Sequence, residues 1–369
     1  MNAPTLSRMQ LNRATLARQM LLERAPLTAV AAIERLAGMQ AQEPKHPFVG
    51  LWTRVEGFDR EELLRALRRR EVVRATLMRS TLHLMSAAHY AALRLALQPS
   101  TSVALRALGA RSQGLDLDAV LPAARELLRG GALPFDEIRA RLQESFPAVD
   151  DRALGYAVRT LLPIVMVPSE TDRWGFARVA DFAPADEWLD EPLADADADA
   201  EALVTRYLGA FGPAAAKDVQ AWSGVGAMRT VLDRMRDRLE VFADERGREL
   251  FDLPDAPRPD ANVHAPTRLL PEFDNLVLAH DDRTRVVADE HRPHVTTKNL
   301  RVRATFLVDG IVRGTWAVAA RRNVATLTLE PFDALSGQSV RELEQEGEAL
   351  LRFVEPDAKG WEVTLADPG

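Results

Sequence analysis

The chain contains no cysteine among its 369 residues, and aromatic residues make up only 6% of it. The absence of cysteine excludes disulfide frameworks, cysteine-ligated zinc, iron–sulfur clusters and thiol nucleophiles. No stretch approaches the roughly 18–20 apolar residues that a membrane-spanning helix needs. The first ten residues, MNAPTLSRMQ, also lack the apolar segment that marks an export signal. We therefore expect a cytoplasmic protein, associated with the nucleoid if it binds DNA.

Motifs that serve common cofactors and nucleophiles are missing as well. The chain contains no G-x-S-x-G, G-x-x-x-x-G-K or G-x-G-x-x-G sequence. His291 and His294 are the one close pair of histidines, and Pro293 between them prevents the regular helix that would align two metal ligands. We expect no metal and no organic cofactor. No lysine lies in an evident site, so a Schiff-base step is not expected either.

The net charge of -7 at first argues against a nucleic-acid partner. Residues 181–201 account for it, because this segment holds acidic residues and neither Lys nor Arg. Two other stretches are basic: the first holds Arg65, Arg68, Arg69, Arg70, Arg74 and Arg79, and the second holds Arg283, Arg285, Arg292, Lys298, Arg301 and Arg303. Local patches, and not the total charge, attract phosphate groups. The alternative is an ordinary solvated surface rich in arginine.

The first part of the chain combines short helices with a two-stranded hairpin. Thr28 is the predicted N-cap of a helix that ends at Gly38. Asp59 begins a second helix with a sequence that resembles a capping box. Strands over residues 72–77 and 81–85 follow, and a further helix begins after them. Helices followed by a basic hairpin are the order of a winged helix.

This order recurs twice, which predicts a tandem array. Helices over residues 118–128, 134–142 and 150–161 precede strands over 164–168 and 174–179, and helices over 203–211, 214–222 and 228–239 precede strands over 239–243 and 249–253. Beyond about residue 263 strands dominate: 305–309, 311–319, 325–329 and 361–365, with one helix over 342–354. Asp309-Gly310 is typical of a type I′ hairpin turn. We predict an α+β protein with a small barrel-like sheet at its C-terminal end.

Gln40 and Gln42 form the most informative pair of polar residues. Gly38 ends a helix before them and Pro44 follows them, so both glutamines are expected on extended backbone. Residues two apart on extended backbone point the same way. Two carboxamides would then project side by side, with acceptors and donors able to hold one water molecule and a sugar or base. Alone, the pair is equally compatible with ordinary polar loop residues.

Four segments carry a resemblance to a known family: GMQAQEP at 38–44, LMRSTLHL at 77–84, FGPAAAKDVQAWSG at 211–224 and LLPEFDNLVL at 269–278. They resemble the winged-helix family of DNA glycosylases typified by AlkZ and YcaQ, and the resemblance spans nearly the whole chain. A Gln-x-Gln pair marks the AlkZ branch, whereas the YcaQ branch has Gln-x-Asp. Gln42 therefore places the chain closest to AlkZ.

The resemblance implies three tandem winged helices in a C-shaped body with a C-terminal β-barrel. The corresponding domains would be residues 1–112, 113–185, 186–262 and 263–369. It also implies a DNA glycosylase that releases alkylated guanine and unhooks the interstrand crosslinks of azinomycin, giving self-resistance and DNA repair. Gln40 and Gln42 would be its catalytic residues.

Two uncharged amides suit one class of leaving group. A guanine alkylated at N7 is already cationic, so its departure needs little acid assistance, and the remaining task is to orient water. Positioning alone contributes up to about 7–11 kcal/mol to a reaction barrier. Gln42 would orient the water and Gln40 would contact the sugar or the same water, although these roles can be reversed. Glu43 is a rival general base, but alternation turns it to the opposite side.

The proposed partner is double-stranded DNA that carries alkylated or crosslinked guanine. Candidate DNA contacts are Arg65, Arg68, Arg69, Arg74, Arg79, His83, Arg283, Arg285, His294 and Lys298. The competing hypothesis is a winged-helix transcription regulator without catalysis, which would dimerise on a specific operator. Without heptads or a long apolar stripe, we expect a monomer.

Overall fold

The computed structural model describes residues 3–190, 192–194 and 200–368, and it has a mixed α+β architecture. The predicted acidic segment therefore lies partly outside the described residues, at Glu191 and residues 195–199. Within the described part of the chain, no helix is long and apolar enough to span a bilayer.

Short helices and a hairpin form the first region, as the sequence predicts. Its elements are β1 (Thr5–Leu6), α1 (Arg8–Arg18), α2 (Ala29–Arg35), β2 (Met39–Gln40), α3 (Lys45–Trp52), α4 (Arg60–Arg68), β3 (Val72–Thr76), β4 (Leu82–Ser86), α5 (Ala87–Leu93) and α6 (Gln98–Arg106). Thr28 and Asp59 cap α2 and α4 through their side chains, which confirms both helix starts. The expected capping box of α4 is wrong in one respect, because Glu62 accepts instead from the backbone N–H of Ala29, 2.7 Å away.

The second region begins after residue 112 and contains one error of prediction. Its elements are α7 (Leu117–Leu128), β5 (Leu133–Pro134), α8 (Phe135–Ser145), α9 (Asp151–Leu161), β6 (Ile164–Met166), β7 (Asp181–Pro184) and α10 (Ala185–Leu189). The partner of β6 is β7 and not residues 174–179. Gly175 has a φ of 76° and turns the chain there, while Phe176 is buried in the core. Trp174 and Phe176 thus reflect packing and not strand pairing, and Val179 is exposed.

The third region forms as predicted, with one addition. It contains α11 (Ala200–Phe211), α12 (Ala216–Ser223), α13 (Met228–Met235), β8 (Glu240–Asp244) and β9 (Glu249–Asp252). β8 and β9 form the expected antiparallel hairpin. The N-terminal strand β1 joins them in parallel, with Thr5 opposite Ala243. A strand of two residues is too short to show an alternation of apolar and polar residues, so the sequence does not predict this pairing.

The C-terminal region is a five-stranded sheet with a long helix. Its elements are β10 (Arg268–Leu270), α14 (Asn275–Leu278), α15 (Arg292–Val295), β11 (Thr305–Val308), β12 (Ile311–Arg321), β13 (Val324–Pro331), α16 (Gly337–Val354) and β14 (Gly360–Leu365). Asp309 and Gly310 both have positive φ, as the predicted turn between β11 and β12 requires. The strand order is β10-β11-β12-β13-β14, so among the described residues this sheet is open and the predicted barrel does not close.

The hairpins of the first two regions merge into one sheet, and this sheet carries the glutamine segment. Its order is β2-β4-β3-β6-β7-β5, so the glutamine-bearing strand β2 lies at one edge beside β4. At this edge β2 also meets the C-terminal region, because Asn275 Nδ2 donates to the carbonyl of Gly38 at 3.0 Å. Residues far apart in sequence therefore converge around Gln40.

Candidate functional site

The backbone is extended at Gln40, as predicted, whereas Gln42 lies in a bend just beyond the strand. Gly38 has a φ of 91°, which ends the preceding helical segment and starts β2. Gln40 lies opposite His83 in antiparallel β4, and the N–H of Ala41 donates to the carbonyl of Leu82 at 2.7 Å. The pairing holds the chain from Met39 to Ala41 straight. Gln40 is consequently held by the sheet, and Gln42 follows in the bend after it.

Both carboxamides contact the turn between β3 and β4. Gln40 is only 8% exposed, and its Oε1 accepts from Arg79 Nη2 at 3.3 Å. Gln42 is exposed to solvent, and its Oε1 is 3.5 Å from the backbone N of Leu82, at the outer limit of a hydrogen bond. The two side chains thus share one neighbouring segment, residues 79–82, with Gln40 on the inside and Gln42 at the surface.

This turn has an unusual backbone. Arg79 and Ser80 have φ values of 54° and 59°, a conformation that costs a non-glycine residue roughly 1–2 kcal/mol. Ser100 holds it, because its Oγ accepts from the N–H of Arg79 at 2.9 Å and its carbonyl accepts from Ser80 Oγ at 3.2 Å. Strained backbone that the surroundings hold in place clusters at functional sites.

Arg74 supports the glutamine segment from below. It is 4% exposed, and its guanidinium donates to the carbonyls of Ala41 at 3.0 Å and Gln42 at 3.1 Å. The guanidinium also lies 4.9 Å from the centre of the Phe176 ring. Burial lowers the pKa of Arg74 to about 10, so the group remains charged at neutral pH. The predicted phosphate contact is corrected here, because Arg74 is turned to the interior and holds backbone carbonyls.

His83 and Arg285 also lie inside the protein and not at the predicted DNA surface. His83 is fully buried, and Nδ1 bonds to the carbonyl of Thr81 at 3.0 Å, which requires the proton on Nδ1. Burial and the charge of Arg79 lower the pKa of His83 to about 3, so its ring is neutral. Arg285 is 3% exposed and donates to the carbonyl of Pro213 at 3.0 Å. Neither residue is accessible to a phosphate group.

The remaining predicted DNA contacts keep some access to solvent. Arg79 and Arg283 are half-buried. The fully exposed members are Arg65, Arg68, Arg69, His294 and Lys298. Arg68 pairs with Glu61 at 3.0 Å, an exposed ion pair that contributes little and is easily exchanged for a phosphate. The ring of His294 packs beside Phe332, with centroids 5.4 Å apart. In the described residues no group of three or more metal-ligating side chains occurs.

The C-terminal region supplies a second wall that sequence reasoning missed. Arg54 and Asp274 form a buried bidentate ion pair with N–O distances of 2.9 and 2.8 Å, and Asp274 also caps α14. This places Asn275 against Gly38, with its Oδ1 buried and without a hydrogen bond in the described residues. Beside it lies a cavity of about 10 Å³ that Gln40 also lines. A cavity of this size holds about one water molecule.

Known proteins resemble this chain in sequence and in fold. The family model for AlkZ-like DNA glycosylases matches residues 33–353. This chain belongs to that family. A curated relative, the interstrand DNA cross-link repair glycosylase of Streptomyces sahachiroi, is 27% identical over 354 residues, which cover 91% of this chain and 93% of the relative. The solved structure of the S. sahachiroi DNA glycosylase AlkZ matches with a TM-score of 0.81 at 22% identity, covering 98% of this chain and all of that one.

Membership of the family makes the protein a DNA glycosylase and sets aside the alternative of a transcription regulator. A glycosylase of this kind must bring water to C1′ of a nucleotide while the base departs. The described site offers amide oxygens and donors for this purpose, and the neutral His83 beside them supplies no charge. Glu43 is exposed next to Gln42 and stays the rival general base that the sequence predicted.

Proposed function

We propose that this protein is a monofunctional DNA glycosylase that hydrolyses the N-glycosidic bond of cationic N7-alkylguanines. The proposal includes the unhooking of interstrand crosslinks such as those of azinomycin, with repair and self-resistance as the result. Gln40 and Gln42 are its proposed catalytic residues, and it requires neither metal nor organic cofactor. No lyase step is included, because among the described residues no lysine bonds to the side chain of Gln40 or Gln42 or lines the cavity beside Gln40.

The observation that carries the proposal is the disposition of the two carboxamides. Gln40 is held on the inside by a charged donor, while Gln42 lies at the surface and its side-chain Oε1 has only a marginal partner, the backbone N–H of Leu82. A neutral amide is a poor base, so it favours a leaving group that is already positively charged. Preorganised amides that orient water are sufficient for such a substrate, because positioning supplies the main contribution. Unmodified guanine, a poorer leaving group, would be left intact.

The exposure of Gln42 supports crosslinked substrates in particular. A crosslinked base stays tied to the opposite strand and cannot rotate fully into a deep pocket. A site with one glutamine at the surface accommodates a base that is only partly displaced. The curated relative from S. sahachiroi is named as an interstrand cross-link repair glycosylase, which favours the same substrate class here.

We further propose that DNA lies against the basic residues that keep access to solvent. They are Arg65, Arg68, Arg69, Arg283, His294 and Lys298. Arg79 is left out, because both ends of its guanidinium bond to Trp222 and Gln40 within the protein. Binding through phosphate contacts weakens steeply with salt. The three helix–hairpin regions are proposed to be winged helices within residues 1–112, 113–185 and 186–262, followed by the C-terminal unit 263–369. The protein is proposed to act as a monomer.

Base release tests the catalytic proposal directly. The purified protein is incubated in EDTA with duplex DNA that carries 7-methylguanine, and free base is measured by chromatography and mass spectrometry. We expect free 7-methylguanine and abasic sites, with strand breaks only after alkali. Gln42→Ala should lose release while DNA affinity is retained, whereas Gln345→Ala, an exposed glutamine on α16, should behave as wild type. Absence of free base with the wild-type protein would refute the proposal.

The crosslink activity is tested separately. A duplex joined through two guanine N7 atoms by a bifunctional alkylator is treated with the protein and resolved on a denaturing gel. Unhooking converts the joined strands into single strands. If 7-methylguanine is released but the crosslinked duplex stays joined, the glycosylase proposal stands and the crosslink proposal fails. Survival of cells that express the protein under azinomycin treatment tests the resistance role.

A further inference from the structure

Arg79 links Gln40 to a rigid part of the protein outside the glutamine segment. Its Nη2 donates to Gln40 Oε1 at 3.3 Å, and its Nη1 donates to the carbonyl of Trp222. Trp222 is fully buried near the C-terminal end of α12, and its ring centroid lies 5.3 Å from that of Tyr207. A cation beside the last carbonyls of a helix is a favourable arrangement. One guanidinium therefore connects a fixed helix end to one of the two proposed catalytic side chains.

This contact determines which way the Gln40 amide points. An arginine side chain carries donors and no acceptor, so the atom of Gln40 that faces Arg79 is the oxygen. The oxygen of Gln40 is thus engaged, and its NH₂ group is the part that remains available to another partner. Gln42 differs, because its oxygen has only the 3.5 Å contact with Leu82 N and lies at the surface. The two carboxamides are chemically inequivalent although they are the same residue type.

The link between Arg79 and Gln40 is persistent at neutral pH. Burial, with a contribution from the nearby charge of Arg283, lowers the pKa of Arg79 to about 10, which still leaves the guanidinium protonated. The left-handed backbone at Arg79 directs this side chain inward, and Ser100 holds the backbone in that state. The absence of a side chain at Gly224 leaves room for Ser100, because a Cβ at position 224 would lie 2.3 Å from Ser100 Oγ. The turn, the helix end and the side chain thus form one connected support.

We propose that Arg79 is a positioning residue that holds the Gln40 carboxamide with its NH₂ group toward the substrate, so that Gln42 alone orients the attacking water. This inference rests on the proposed function and divides the roles that the sequence leaves interchangeable. Gln40 then donates to an oxygen of the sugar. Gln42 accepts a hydrogen bond from the water and so aims the lone pair of the water oxygen at C1′. The C1′–O bond forms as the C1′–N9 bond to the cationic base breaks, and the proton of the water passes to solvent. Arg79 acts through Gln40 and is not a phosphate contact, in contrast to the prediction from sequence.

Single-turnover release of 7-methylguanine with enzyme in excess tests this role. Arg79→Lys keeps the charge but cannot span both acceptors, and Arg79→Asn tolerates the left-handed backbone but is too short to reach Gln40. We expect both variants to slow the chemical step by about 10- to 100-fold, since small displacements of positioned groups have effects of this size. The dissociation constant for DNA and its salt dependence should stay unchanged. Arg129→Lys, an exposed arginine that pairs with Glu126 on α7, is the matched control and should match wild type.

A double-variant cycle shows whether Arg79 acts through Gln40. On a Gln40→Ala background, Arg79→Lys and Arg79→Asn should produce no further loss of rate. Additive losses, or a weaker salt dependence of DNA affinity with an unchanged chemical step, would overturn the inference and assign Arg79 to phosphate binding. If Arg79→Lys unfolds, as thermal melting would show, the Arg79→Asn cycle decides. If the wild-type protein releases no base, the proposed function itself is refuted. That outcome differs from the outcomes that overturn only the role of Arg79.

Discussion

Replacing Arg74 with methionine removes two hydrogen bonds that hold the glutamine segment in place. The guanidinium donates to the carbonyls of Ala41 and Gln42 at 3.0 and 3.1 Å, and it lies 4.9 Å from the Phe176 ring centre. Methionine fills similar apolar space but donates no hydrogen bond. Because Arg74 is only 4% exposed, water cannot readily replace the lost donor.

The expected loss can be worked out from these contacts. A hydrogen bond to a charged group contributes about 1.5–3 kcal/mol, and a partly buried cation–π contact contributes about 1 kcal/mol. The contributions share one side chain and are not additive, so we expect Arg74→Met to lower the free energy of unfolding by about 3 kcal/mol. Gln42 loses its support, and base release should slow by about 10-fold or more. Urea unfolding followed by tryptophan fluorescence, together with single-turnover release, measures both effects.

Arg69→Met is the matched comparison, because Arg69 is an exposed arginine of the same basic stretch. Its free energy of unfolding should change by no more than about 0.5 kcal/mol. If Arg69 contacts phosphate, the slope of log K against log salt should fall by about 0.9. The reasoning would be refuted if Arg74→Met left stability unchanged and reduced the salt slope instead, as a surface phosphate contact would.

Three further predictions concern the surroundings of the site. Asp274→Ala leaves Arg54 as a buried unpaired charge and should cost about 3–5 kcal/mol in urea unfolding; a cost below about 1 kcal/mol would contradict the buried pair. Glu43→Gln should retain base release within about threefold, whereas a loss near 100-fold would make Glu43 the general base. Burial lowers the folded-state pKa of His83 to about 3 and that of His46 to about 4, so the unfolded chain takes up their protons first as pH falls below 6.5. Each histidine should therefore reduce the free energy of unfolding by up to about 1.4 kcal/mol per pH unit, from pH 6.5 down to its folded-state pKa. If a His83→Gln variant shows the same dependence of unfolding free energy on pH as wild type, His83 does not contribute to that dependence.

Local signals predicted most of the helices and hairpins correctly. Thr28, Asp59 and Ser86 cap helices through side chains that bond to backbone a few residues on, and such bonds depend only on nearby sequence. The turn at Asp309 likewise follows from its two residues. The extended backbone at Gln40 was predictable for the same reason, because Gly38 acts locally, whereas Gln42 lies in a bend that the sequence did not predict.

The errors arose where distant segments decide the outcome. The sequence predicts a strand over residues 174–179, but Trp174 and Phe176 pack into the core instead, and Asp181–Pro184 pairs with β6. The arginines of the basic stretches are indistinguishable in sequence, and the fold turns Arg74 and Arg285 inward and leaves Arg65 exposed. Composition records the charge of a residue and not the direction of its side chain.

The sequence by itself therefore determined most of the helices and hairpins, the helix stop before the Gln-x-Gln pair, and the family, because caps, turns and motifs are local. Tertiary structure decided what those glutamines contact. Arg79 and Arg74 are brought to them by sheet pairing and by α12, and Asn275 reaches Gly38 across more than two hundred residues. Such contacts come from the burial of surfaces that are far apart in the chain, and no local pattern records which buried donor will meet which acceptor.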